Sequence, residues 1–132
     1  MTAELTTEDR ALLAAPNYAW VITIHPDGSP HASVTWIDTT ETHVLVNTAV
    51  GRRKDRNVIH DPHVTIAVQR GADAYDWLSV EGVVERREVG PGADAHIDAL
   101  SRAYDDEAWT SIEGQKRVRW FIRPVRIVRY ER

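Results

Sequence analysis

Residues 51–57 read GRRKDRN, which sets Arg52, Arg53, Lys54, Asp55 and Arg56 side by side in a chain whose formal net charge is -4. Guanidinium groups offer paired, planar donors suited to phosphate, and an ammonium adds a point charge. The segment follows an apolar alternating run, THVLVNT, and precedes Val58, Ile59 and Pro62, so it falls at a strand-to-helix junction. A helix N-terminus there adds unpaired N–H groups and the positive end of its dipole, which together make an anion site. On a helix, Arg52 and Arg56 stand four apart and share a face with Asn57 beside them, while Arg53 and Lys54 point elsewhere. Charge spacing alone leaves a second reading open, a solvated basic face balanced by Asp55 and Asp61.

Other residues with chemical potential are more scattered. His31, Ser33 and Thr35 alternate with Ala32, Val34 and Trp36. The resulting polar strand face is either the outside of the molecule or the wall of a groove that hydrogen-bonds a planar heterocycle, and periodicity does not separate the two. Asn47 and Thr48 end the following strand. The six histidines show no ligand spacing that marks a metal site; His60 and His63 come nearest, across HDPH. Without cysteine there are no disulfides, thiolate ligands or thiol nucleophiles. No phosphate-binding glycine loop and no nucleophile elbow is present, so no catalytic residue is assigned. Five tryptophans in 132 residues point to a pocket or an interface as well as a core. Core packing is expected of Trp20 and Trp120, and ligand stacking of Trp77 at a strand entrance.

The elements that must position these groups follow from pattern. Thr6 and Asp9 stand at capping-box spacing ahead of Leu12 and Leu13, and Pro16 ends that short helix. Pro26-Asp27-Gly28 is hairpin chemistry between two strands. A third strand is THVLVNT, a fourth HVTIAVQ and a fifth DWLSVEGVVERREV, where Gly82 in mid-strand implies a bulge or a close approach. Ile97, Leu100 and Tyr104 fall at helical spacing, and RVRWFIRPVRIVRYE closes the chain as one or two strands hinged at Pro124. Six or so hairpin-linked strands favour a small closed barrel within a single domain, residues 1–132. The acidic balance, with a pI near 5.8, argues against a nucleic-acid partner. No apolar run is long enough to span a bilayer and the N-terminus carries no signal-peptide pattern, so a cytoplasmic protein is expected.

The order of these segments, from ITIHPDGSPHASVTWID through VLVNTAVGRRKDRNVIHDPHVTIAV to WLSVEGVVE, resembles the pyridoxamine 5'-phosphate oxidase-like FMN-binding split barrels. It is most similar to their deazaflavin branch, the coenzyme F420-dependent oxidoreductases, over roughly residues 8–130. The resemblance implies a mainly β fold, a six-stranded antiparallel split β-barrel, and a homodimer with cofactor sites at the interface. It implies that Lys54, with Arg52, Arg56 and Asn57, meets the cofactor phosphate. The ring system would lie against Pro30, His31, Ser33, Val34 and Trp36 and against Asn47 and Thr48, with Trp77 or Tyr75 reaching it from the partner subunit. Hydride transfer to an unsaturated small molecule is the implied activity. FMN is the alternative cofactor, because it also ends in phosphate, although the second strand lacks the arginines common in flavin-type members. A non-catalytic flavin or haem carrier is the non-enzymatic alternative.

Overall fold

Local chemistry sets the first element. Thr6 caps the helix α1 (Thr7–Ala14), its hydroxyl accepting from the Asp9 N–H while the Asp9 carboxylate accepts from the Thr6 N–H. The computed structural model describes residues 2–130; Glu131, the last residue of the expected closing strand, lies outside them. After α1 come β1 (Ala19–Ile24), β2 (Pro30–Thr35), the two-residue β3 (Asp38–Thr39), β4 (Val44–Ala49), α2 (Arg53–His60), β5 (His63–Arg70), β6 (Asp73–Val89), α3 (Pro91–Asp105) and β7 (Arg117–Arg129). All strand pairings are antiparallel, in the order β2-β1-β5-β6-β7-β4-β3. The fold is mainly β with short helices, as expected, and β3 is the one strand the sequence pattern does not announce. The sheet curls as a split barrel, with β2 and β3 as unjoined edges rather than a closed ring.

One core fills the curl. Val21, Val46, Ile66, Val80, Trp120 and Ile122 are fully buried there, with Leu12 and Leu13 of α1 and Val58 of α2 packed against them. Trp120 is the core tryptophan expected from its strand, but Trp20 is not, being 52% exposed. The cause is the two-residue period of β1: Ala19, Val21 and Thr23 take the inner face, which puts Trp20, Ile22 and Ile24 on the outer one. The same period settles β2, whose polar residues His31, Ser33 and Thr35 are the half-buried set and whose Ala32 and Val34 face out.

Gly82 has the close approach its position implies. A Cβ there would lie 2.6 Å from Ile122 Cγ2 and 2.7 Å from the Arg123 carbonyl oxygen. The β6–β7 register shifts between Glu81 and Gly82, directly opposite Pro124, so the bulge and the proline share one irregularity and β7 continues unbroken through it. Gly71 and Ala72 form a tight turn between β5 and β6, which has already begun at Asp73, ahead of the fifth strand's expected start at Asp76.

Candidate cofactor-binding site

Gly51, at φ 91°, turns the chain from β4 into α2, a conformation that favours glycine. Arg52 is the N-cap of α2 and makes no side-chain cap bond, leaving its guanidinium available. The inner side of α2 carries Lys54, Asp55, Asn57 and Val58, all buried, while Arg53 and Arg56 are exposed. Asp55 is a structural anchor: fully buried, it accepts from Arg87 Nε (2.9 Å) and Nη2 (2.6 Å) and from Trp120 Nε1 (3.0 Å). Asn57 donates to Thr23 Oγ1 at 3.0 Å, which ties α2 to β1.

Lys54 has no such partner. It is 7% exposed, and among the described residues its Nζ reaches only the neutral Ser33 hydroxyl on β2, at 3.3 Å. Burial, then the neighbouring Arg52 and Arg117 cations, hold its pKa below the usual lysine value. Arg117 opens β7 and is itself 7% exposed. Its Nε donates to Asn47 Oδ1 (3.0 Å), its Nη1 donates to Gln115 Oε1 (2.8 Å), and its guanidinium lies 5.1 Å from the Trp109 ring centroid. Burial, then Arg52, lowers its pKa to about 10, and Asp94 opposes the shift only in part. Exposed Arg52 at the start of α2 thus converges with buried Lys54 and Arg117, and the two buried cations hydrogen-bond neutral partners.

A cavity of about 260 Å³ adjoins them, walled by Val34, Trp36, Asn47, Arg52, Trp109 and Arg117 among others. Trp36, just beyond β2, stacks on Tyr104 with centroids 5.4 Å apart and meets Trp109 edge-on at 6.2 Å. Tyr104 is fixed by its own bonds, donating to the Asn17 carbonyl (2.6 Å) and accepting from the Ile37 N–H (3.0 Å). His31 packs edge-on to His25 at 5.3 Å. Burial, then the charges of His25, Lys54 and Arg53, hold its pKa below the ordinary histidine value.

The donor set suits a phosphate that carries a flat ring. Among the described residues, four buried side-chain polar atoms have no protein partner, and three are His31 Nδ1, Thr48 Oγ1 and Asn57 Oδ1, all on residues the sequence singles out. Val34, Trp36, Asn47 and Arg52 meet at the cavity, and Lys54 joins them through Ser33 and its proximity to Arg52. Pro30 is exposed at the start of β2, and Arg56 is exposed on α2. Trp77 lines a different cavity, of about 630 Å³, with Tyr18 and Trp20, and stacks on Tyr130 at 6.0 Å. Arg117 and Trp109 complete the first cavity, and Tyr104 stacks on Trp36 in its wall, but none carries a local sequence signal for it: Arg117 is one of several strand arginines in β7.

The sequence profile of pyridoxamine 5'-phosphate oxidase matches residues 5–128. A comparison with curated proteins returns no match. Among solved structures, the chain is similar to an F420 reductase at 27% identity and a TM-score of 0.79, covering 90% of this chain and 94% of that one. A conserved hypothetical protein of Mycobacterium tuberculosis shares the fold at 21% identity and a TM-score of 0.75, covering 98% and 86%. General Stress Protein 26 of Bacillus anthracis does so at 18% identity and a TM-score of 0.64, covering 91% and 88%. With nearly the whole chain matched, the protein belongs to the pyridoxamine 5'-phosphate oxidase family, a family of flavin-type oxidoreductases.

Proposed function

We propose that this chain is a coenzyme F420-dependent reductase that delivers a hydride to an unsaturated small-molecule acceptor. The observation that carries the reading is the convergence of Arg52, buried Lys54 and buried Arg117 beside an aromatic cavity, with only neutral partners on the two buried cations. Arg52, Lys54 and Arg117 hold the phosphate end, and the open N-terminus of α2 adds N–H donors. Val34 and Trp36 supply an apolar wall against which a planar ring is oriented and from which water is excluded. When bound and reduced, the deazaflavin supplies a hydride, so the acceptor gains two electrons and takes its proton from solvent. His31, whose charged form is disfavoured by burial and then by the neighbouring cations, presents an unpartnered Nδ1 for a hydrogen bond.

The working form is a homodimer. The outer sheet face carries a mostly apolar cross-strand row of Val34, Trp20 and Ala67, then Ser79 and Val128, and Val34, Trp20 and Val128 are 45–52% exposed. An apolar row of this kind is suited to burial against a second copy, and that would bring the partner's Trp77 surface to bear on the site.

The test is binding followed by turnover. The purified protein is equilibrated with coenzyme F420 or with FMN, freed of excess and scanned by absorbance. The reduced cofactor it retains is then offered enones, quinones and imines. Retention of the deazaflavin with acceptor-dependent reoxidation supports the reading. Preference for FMN moves it to an FMN-dependent oxidoreductase, and binding of either cofactor without turnover to a carrier.

A further inference from the structure

A chain of polar side chains, half-buried at Asp38 and buried beyond it, runs from β3 through α3 and β4 to Arg117. The Asp38 carboxylate lies 3.0 Å from His96 Nε2, His96 Nδ1 lies 3.3 Å from Asn47 Nδ2, and Asn47 Oδ1 lies 3.0 Å from Arg117 Nε. His96 and Asn47 are 6% and 4% exposed, so the His96–Asn47 and Asn47–Arg117 bonds are protected from water, while the Asp38 end is half-buried. The orientation of every member is forced. Arg117 Nε–H can only donate and the Ala93 carbonyl, 2.9 Å from Asn47 Nδ2, can only accept. The Asn47 amide therefore turns its oxygen to Arg117 and its NH₂ to Ala93 and His96. His96 Nδ1 must then accept, which puts the ring proton on Nε2 and directs it to Asp38.

The far end of the chain is the cavity. With Nε and Nη1 occupied by Asn47 and Gln115 and the guanidinium beside Trp109, Arg117 makes no hydrogen bond from Nη2 to any described residue; its side chain lines this cavity and also a neighbouring one shared with Asp94 and Asp98. An arginine fixed at three points with one free edge is an oriented donor. We propose that Arg117 is an anion-binding residue of this site, and that Asp38, His96 and Asn47 position it. The inference rests on the reading of the cavity as a phosphate site, but not on which ring the phosphate carries.

The probe is therefore inorganic phosphate, titrated into protein labelled for observation of arginine Nε–H signals. In the parent protein the Arg117 signal shifts saturably. Arg117→Lys, which keeps the charge and loses the fork, weakens phosphate roughly tenfold. His96→Asn can still accept from Asn47 where Nδ1 did, and stays within about twofold of the parent. His96→Gln reaches Asp38 but not Asn47; its Arg117 Nε–H signal broadens by solvent exchange, and phosphate weakens as in Arg117→Lys. Asn47→Ala cuts the chain one bond closer and gives the same result if His96→Gln fails to fold. Parent-like phosphate affinity in Arg117→Lys, or an absence of binding to the parent protein, overturns the role of Arg117. Equal behaviour of His96→Asn and His96→Gln, or parent-like affinity in Asn47→Ala, overturns the positioning chain. Failure of the deazaflavin reading would appear separately, as phosphate binding without F420 retention.

Discussion

Replacing Lys54 with methionine should move stability and affinity in opposite directions. Methionine keeps the length and packing of the lysine stem and removes only its charge. In the ligand-free protein that charge is a cost: Lys54 is 7% exposed, sits with Arg52 and Arg117, and bonds only a serine hydroxyl. A buried charge without a counter-ion is destabilising, so its removal should raise unfolding stability by about 0.5–2 kcal/mol. In the complex the same charge faces phosphate, and a hydrogen bond to a charged group contributes about 1.5–3 kcal/mol. Cofactor affinity should therefore fall roughly 10- to 150-fold. Urea unfolding in phosphate-free buffer reads the first effect, and absorbance titration with coenzyme F420 and FMN the second. Unchanged affinity for both cofactors, or a loss of more than about 2 kcal/mol in ligand-free stability, would refute the argument, because either would make Lys54 structural.

Three further outcomes follow from the same geometry. Gly82→Ala sets a methyl 2.6 Å from Ile122 Cγ2 and 2.7 Å from a backbone carbonyl, so denaturant unfolding should register a loss of about 1–3 kcal/mol. Asp55→Ala strands the Arg87 guanidinium and the Trp120 indole and should cost about 3–5 kcal/mol, read by thermal unfolding against the parent. Burial raises the Tyr104 phenol to about 12, against an ordinary value of 10.0, so the folded state keeps a proton that the unfolded chain gives up. The stability from Tyr104 is full below pH 10.0 and is lost as pH rises toward about 12, by no more than about 2 kcal/mol once its partial exposure is allowed for. Tyr104→Phe should lose that part of the alkaline slope in paired unfolding curves from pH 9 to 12, and identical slopes would contradict it.

The sequence marks features that are local and hides those that are not. The Thr6 capping box, the Pro26–Gly28 hairpin and the mid-strand Gly82 are legible because each depends on a few neighbouring residues. Trp20 is misread because alternation reveals two faces without saying which one meets the core. The polar face of β2 is ambiguous for the same reason, and only the curl of the sheet turns His31 and Ser33 inward. Arg117 could not be selected from Arg119, Arg123, Arg126 and Arg129 in its own strand. It reaches the site because β4 pairs with β7 in a register that sets Ala49 opposite it, 70 residues from its partner Asn47.

How the fold treats its buried charges indicates the sign of the missing partner. The two buried aspartates each hold an arginine: Asp55 takes Arg87, and Asp9 takes Arg129 at 3.0 and 2.5 Å. Buried Lys54 and Arg117 have only Ser33, Asn47 and Gln115, all neutral, and stand near each other and Arg52. A chain of net charge -4 does not lack carboxylates to place there. Concentrating cations that Asp94 offsets only in part lowers stability, and sites that break the rules of burial are where binding function is to be sought. The ligand that repairs this imbalance must be an anion able to accept from several donors at once. Phosphate meets that requirement with more acceptor positions than a carboxylate, and the tryptophans beside it favour a phosphate attached to a flat ring.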